Sequence, residues 1–217
     1  KNGKKLKSFG LKPFVLNGKE IAKTDIVRRK NLEGNFGGAI TSLEYKDGGF
    51  DFTFGQALNY FNNDHFGEVH WVKDYVGTLD TKRRYYDNTG KKLDYNIFAR
   101  ANYKLFNQLN LFADLQYRFI DYRIKGSIDH FTGGKQQQMD LKKTFSFFNP
   151  KAGLFYQFAP QHHVYGSVAV AHREPNRKHY TEVSEAQYPR AERLTDYELG
   201  YGFRSRTFTA GLNLYYM

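Results

Sequence analysis

The sequence is 217 residues long, with 33 Lys and Arg against 22 Asp and Glu for a net charge of +11, and with 17 Tyr, 20 Phe, one Trp and no Cys. So aromatic a composition excludes a disordered chain, and the missing Cys excludes a disulfide scaffold, a zinc–thiolate site and a thiol enzyme. There is no apolar run of about 18 residues to form a membrane helix, and no basic n-region followed by an apolar h-region opens the sequence. A mean hydropathy of −0.70 does not speak against a membrane barrel, whose strands alternate polar and apolar residues.

Residues 1–30 hold ten Lys or Arg against Glu20 and Asp25, a local net charge of +8. The stretch lacks both aromatic platforms and a helix-turn-helix pattern, so it reads as a solvated loop and no nucleic acid is expected as a partner. A first, weaker hairpin is predicted over Asn35–Tyr45, the turn Lys46-Asp47-Gly48-Gly49 and Phe50–Phe61, blurred by Glu44 and Gln56. From Leu93 the two-residue period is clear. Tyr95, Ile97, Ala99, Ala101, Tyr103 and Leu105 share one face, opposed by Asp94, Asn96, Phe98, Arg100, Asn102 and Lys104. After Phe106-Asn107-Gln108 the pattern resumes, with Leu109 to Phe119 at odd positions against Asn110, Asp114, Gln116 and Arg118. Another hairpin joins Pro150–Phe158 to His163–Arg173 through Ala159-Pro160-Gln161-His162. The last joins Asp196–Arg204 to Phe208–Tyr216 through Ser205-Arg206.

About eight strands result, each near the ~10 residues that cross a bilayer when tilted. Short turns alternate with long polar loops at 1–31, about 64–92, about 127–143 and 174–194. In an up-and-down meander all the short turns then lie at one end and all the long loops at the other, as in outer-membrane barrels. The expected fold is all-β: an antiparallel up-and-down transmembrane β-barrel. The polar face (Arg100, Asp114, Arg118, Asp196, Glu198, Gly200, Gly202) suits a lumen better than a closed core. Tyr and Phe near the strand ends suit an interfacial girdle.

Residues 145–217 carry a resemblance. Phe147-Phe148-Asn149-Pro150-Lys151-Ala152-Gly153-Leu154 leads into a strand, and Val164-Tyr165-Gly166-Ser167 runs on to Arg173-Glu174-Pro175-Asn176-Arg177. Glu192-Arg193-Leu194-Thr195-Asp196-Tyr197-Glu198-Leu199-Gly200-Tyr201 follows. In this order the segments resemble the barrel of a TonB-dependent outer-membrane receptor of Gram-negative bacteria. Asp64-His65-Phe66-Gly67, Tyr85-Tyr86-Asp87-Asn88 and Leu115-Gln116-Tyr117-Arg118 fit the same type. The resemblance implies a receptor that binds a scarce substrate such as a ferric chelate and imports it with energy from TonB acting through a plug domain. It implies the bacterial outer membrane as location, with membrane lipid and lipopolysaccharide as neighbours. Such barrels have about twenty-two strands, so residues 1–217 are expected to form a partial barrel domain, without the plug and the remaining strands. The alternatives are a complete eight-stranded barrel with a structural, adhesion or porin-like role, and a soluble β-sandwich.

No P-loop, HExxH or GxSxG motif is present, and neither an enzyme nor a cofactor is expected. Gly133-Gly134-Lys135 lacks phosphate-loop spacing and reads as a loop tip. Asp64, His65, Glu68 and His70 read as a polar loop base, with a metal contact the weaker reading and no metal site expected. His162-His163 reads as a turn, and Asp196 and Glu198 as partners of Arg100, Arg118 or the plug. The candidate ligand-binding residues are His172, Arg173, Arg177, Lys178 and His179 at one strand mouth and Arg28 and Arg29 at another. Guanidinium forks and positive charge there suit an anionic ligand.

Overall fold

The computed structural model describes residues 3–132, 135–183 and 187–217. Four short strands come first: β1 (Lys4–Lys5), β2 (Phe14–Leu16), β3 (Lys19–Ile21) and β4 (Lys23–Thr24), with a 3-10 turn at Leu6–Phe9. Then follow β5 (Ile26–Asp47), β6 (Phe50–Val72), β7 (Arg84–Phe106), β8 (Leu109–Thr132), β9 (Lys135–Ala159) and β10 (His162–Arg173). A single helical turn, α1 (Lys178–Thr181), precedes β11 (Glu192–Arg204) and β12 (Thr209–Tyr216). Strands β5 to β12 form one antiparallel meander in sequence order, while β1 pairs with β4 and β2 with β3. Among the described residues β5 and β12 are the two edges of that sheet.

The expected hairpin turns hold their places, at Gly48-Gly49, Asn107-Gln108, Pro160-Gln161 and Ser205–Phe208. The expected strand length does not. Strands β5 to β9 run for 22, 23, 23, 24 and 25 residues. At about 3.3 Å per residue each is roughly 70–80 Å long, far beyond the ~30 Å hydrocarbon core. The loops predicted at 64–92 and 127–143 are therefore mostly strand: β6 runs to Val72, β7 starts at Arg84, β8 runs to Thr132 and β9 starts at Lys135. The proposed loop tip at Gly133-Gly134 lies outside the described residues.

An inversion of the pattern explains the difference. In β8 the odd positions through Phe119 are apolar and the even ones largely polar. From residue 120 onward the even positions Ile120, Ile124 and Ile128 are buried, while the odd positions Asp121, Arg123 and Lys125 are charged. In β9 Met139 and Leu141 are buried and Asp140 and Lys142 are exposed. The period of two continues with its polarity exchanged, so a search for apolar faces of constant parity stops too early.

The chain divides into two compact units. One comprises Lys1–Gly37, Tyr60–Leu93 and Asp121–Lys143. Its core is Leu6, Phe9, Phe14, Val69, Val72, Tyr85 and Tyr86, with Leu11, Leu16, Ile21 and Ile26 packed against it. The stretch read as a solvated basic loop is thus folded over its described residues: Lys4, Lys5, Lys7 and Lys12 are exposed while Leu6, Phe9 and Phe14 are buried.

The other unit comprises Gly38–Asn59, Asp94–Ile120 and Thr144–Met217. Its apolar side chains are largely exposed, Ile40, Leu58, Leu115, Leu199, Leu212 and Leu214 among them, as a lipid-facing sheet requires. On the opposite face, across the β10–β11 ladder, Tyr165 pairs with Gly200 and His163 with Gly202. A Cβ at Gly200 would fall within the Tyr165 ring, and one at Gly202 within the His163 ring. The glycines on the polar face therefore seat aromatic rings. Gly200→Val should destabilise the barrel by about 1–3 kcal/mol through overpacking, lowering the temperature at which the folded band is lost on a semi-native gel. An unchanged midpoint would show that the ring is not seated there.

Candidate functional site

The mouth of β10 is built from side chains on three neighbouring strands. Asn149 of β9 accepts hydrogen bonds at its Oδ1 from the His172 backbone N–H at 3.0 Å, with His172 Nδ1 at 2.9 Å from the same oxygen. Asn149 Nδ2 donates to Gln116 Oε1 of β8 at 2.9 Å. The His172 ring stacks on Phe147 with centroids 5.5 Å apart and planes 3° from parallel. His172 is thus held against β9 by packing and hydrogen bonds.

Next to it, Arg118 of β8 fixes the segment that follows β10. Its Nε and Nη2 donate to Asp94 of β7 at 2.9 and 2.5 Å, and its Nη1 donates to Glu174 at 3.1 Å. The Arg118 side chain is 25% exposed and both carboxylates 16%, a setting in which a bidentate fork is strong. Beyond Glu174, Pro175 is buried, and Tyr180 of α1 is buried with its ring edge-on to Tyr188 at 5.2 Å. Two cations of this segment, Arg173 and Lys178, point to solvent. Arg173 lies 3.5 Å from Glu192, and Lys178 lies 3.8 Å from Glu182, with all four side chains more than 60% exposed. His179 is exposed and Arg177 half-buried. The segment therefore presents cations on a turn anchored by Arg118 below and Tyr180 within.

The guanidiniums expected to pair with Asp196 or Glu198 are engaged elsewhere, Arg100 with Asp114 at 2.9 Å and Arg118 as described. The Arg118 clamp is the feature sequence reading missed: Arg118 and Glu174 are 56 residues apart and only strand order brings them together.

In the unit containing the first strands, Arg28 and Lys30 of β5 converge on Asp129 of β8, at 2.9 and 2.7 Å. Arg28 also donates to the Tyr85 hydroxyl at 3.2 Å and lies 5.6 Å from the centroid of the Phe9 ring. Arg29 is exposed. Burial raises the Tyr85 hydroxyl above the ordinary phenol value, Asp129 raises it further, and Arg28 pulls it back in part. The Asp64–His70 segment is hydrogen-bonded to its surroundings: Thr89 of β7 donates to Asp64 at 2.7 Å, Asn31 of β5 to Glu68 at 3.1 Å, and His65 contacts Asn63 at 2.7 Å. Among the described residues no three His, Cys, Asp or Glu side chains are grouped to hold a metal. His162 is tied to the Tyr201 hydroxyl at 2.7 Å and packs on Phe158 and Phe203 at 5.7 and 4.9 Å. This aromatic cluster at the short-turn end suits a membrane interface.

A family model described as the TonB-dependent receptor-like β-barrel matches residues 10–217. The chain belongs to the TonB-dependent receptor β-barrel family. Among solved structures, the copper transporter OprC superposes with a TM-score of 0.72 at 12% identity, over 87% of this chain and 31% of that one. The ferric yersiniabactin uptake receptor FyuA from Yersinia pestis gives 0.55 at 12% identity, over 87% and 29%. The ferric citrate transporter FecA gives 0.59 at 10%, over 88% and 28%. At these identities the likeness is one of fold, and the chain spans about a third of the length of these proteins. No curated protein matches in sequence. The TonB-dependent receptor barrel is an outer-membrane structure, and its family is one of transporters rather than enzymes. The expected fold and family are those found, and the family's place is the expected outer membrane.

Two outcomes follow for this TonB-dependent receptor barrel. Arg118→Ala removes the guanidinium that bridges Asp94 and Glu174, so it should cost about 1–3 kcal/mol and speed protease cleavage within 174–183. Arg118→Lys, which cannot form the fork, should restore only part of the protection. The raised Tyr85 value means the folded state holds the phenol proton more tightly than the unfolded one. Its contribution is complete below the ordinary phenol range near pH 10 and is lost as pH rises through the folded value. Alkaline unfolding should therefore destabilise the parent more than Tyr85→Phe; equal slopes would contradict it.

Proposed function

We propose that this barrel is part of an outer-membrane receptor that captures an anionic chelate of a scarce metal, foremost a ferric chelate, and passes it through the lumen with energy from TonB acting on a plug domain. Binding and gating do the work, without covalent chemistry. The observation that carries the reading is the cationic turn after β10, where Arg173, Lys178 and His179 are exposed on a segment anchored by Arg118 and Tyr180. Positive charge at a mouth raises the local concentration of an anionic ligand and speeds its capture. Guanidinium groups suit carboxylate or catecholate oxygens better than ammonium groups, because two donors meet two acceptors at once. Arg177 and His172 complete this group, and Arg28 and Arg29 supply a second cationic strand mouth.

We further propose that residues 1–217 form one part of a larger closed barrel. The edges at β5 and β12 support this, since an unpaired strand edge is not tolerated in hydrocarbon, as does the third of each solved relative that the chain covers.

The test is uptake of radiolabelled ferric chelates, citrate and catecholate types among them, in iron-starved cells expressing the full-length receptor. Arg173→Ala combined with Arg177→Ala should weaken binding of the transported chelate about tenfold or more, while the barrel still folds and reaches the membrane. Unchanged affinity and uptake would remove these residues from the ligand site. Transport of no ferric chelate at all would remove the ligand class.

A further inference from the structure

The contact between Asn149 and His172 settles which nitrogen of the imidazole carries the hydrogen. A backbone N–H can only donate, so the Asn149 atom 3.0 Å from the His172 amide is the carbonyl oxygen Oδ1, and Nδ2 is the end that donates to Gln116. The same Oδ1 lies 2.9 Å from His172 Nδ1. An oxygen has no hydrogen to give, which leaves Nδ1 the role of donor. In the neutral ring Nδ1 therefore bears the hydrogen and Nε2 the lone pair.

That lone pair is open. Among the described residues Nε2 has no hydrogen-bond partner, and it is not one of the buried polar atoms left without one, so solvent reaches it. Stacking on Phe147, 3° from parallel, and the bond to Asn149 together fix the direction in which it points. The cations of the same segment are Arg173 and Lys178, both exposed, and Arg177, half-buried. Guanidinium and ammonium groups donate and cannot accept. The carboxylates beside them are engaged, Glu174 with Arg118, Glu192 with Arg173 and Glu182 with Lys178. The His172 ring thus gives a donating mouth an acceptor held in one direction.

We propose that His172 Nε2 accepts a hydrogen bond from the ligand, and that Asn149, oriented by Gln116, is the positioning residue that keeps the hydrogen of the neutral ring on Nδ1. The ligand is then an anionic chelate that also carries a free O–H or N–H. A chelate that offers only acceptors leaves this lone pair desolvated and unpaired, and a site shaped to receive a donor discriminates against an analogue that lacks one. This selectivity rests on the reading of the mouth as an anionic-chelate site and adds to it the hydrogen-bonding character of the ligand.

The full-length receptor is titrated with two synthetic ferric tris-catecholates of equal charge, one bearing free hydroxymethyl groups and the other their methyl ethers. The parent should bind the hydroxyl chelate about tenfold more tightly, the range that a single hydrogen bond supplies. His172→Phe keeps a ring against Phe147 and removes the nitrogen, so its two affinities should be equal. Asn149→Leu removes the acceptor at Nδ1 and should reduce the preference to about threefold or less. Nitrogen NMR of isotope-labelled histidine, without ligand, should show the Nδ1–H form of His172 in the parent and a mixture of forms in Asn149→Leu, a readout that lost packing alone does not move. The comparison of the two chelates on the parent needs no variant to fold. Equal affinities there would overturn the proposal, as would an Nε2–H ring in the parent. So would a shift of the ferric absorption band on binding that His172→Phe abolishes, which would make Nε2 a ligand of the metal. Binding that needs Arg173 and Arg177 but ignores the hydroxyl would defeat this selectivity and leave the proposed function standing; binding of neither chelate would defeat both.

Discussion

A peptide group left without a hydrogen bond in hydrocarbon costs several kcal/mol, and this one requirement shapes the whole chain. It demands a continuous ladder, so strands β5 to β12 pair only with their sequence neighbours and turn back through a few residues at one end. Once every backbone group is committed to the ladder, side chains have only two directions to point. Everything else, from ligand mouth to lipid contact, is decided by which residue type occupies which parity at which height.

The inversion near Ile120 shows this at work. Through Phe119 the exposed parity of β8 is apolar; beyond it Asp121, Arg123 and Lys125 hold that parity and Ile120, Ile124 and Ile128 are buried. The five long strands extend well past what a bilayer needs, and part of that length carries the residues against which the first segments pack. A segment such as Leu6–Phe14 can fold there only because it finds Val69, Val72 and Tyr85 to pack against.

The hairpin turns, the eight strands of the main sheet, their meander order and the family were legible in the residues, because glycine pairs, alternation and the Asp196-Tyr197-Glu198-Leu199-Gly200-Tyr201 segment are local signals. Strand length was not, because a fixed-parity reading stops at Phe119, whereas β8 runs on with its apolar residues at the other parity. The candidate mouth was legible as a set of charges, Arg173, Arg177, Lys178 and His179. Its support was not. The contacts of Arg118 with Asp94 and Glu174, or of Asn149 with Gln116 and His172, depend on register between strands dozens of residues apart, and a one-residue error in register turns every such side chain to the other face.

Tyr165 over Gly200 and His163 over Gly202 bear on that same register. Sliding β11 by two residues keeps every side chain on its proper face, so polarity alone does not forbid it. In one direction Tyr165 would still find a glycine, at Gly202, but His163 would meet Arg204; in the other His163 would find Gly200 while Tyr165 met Glu198. Only the observed alignment seats both rings. The two glycines thus work as a two-toothed key, which lets the hairpin tell its true alignment from the nearest false ones as it enters a membrane where later correction is slow.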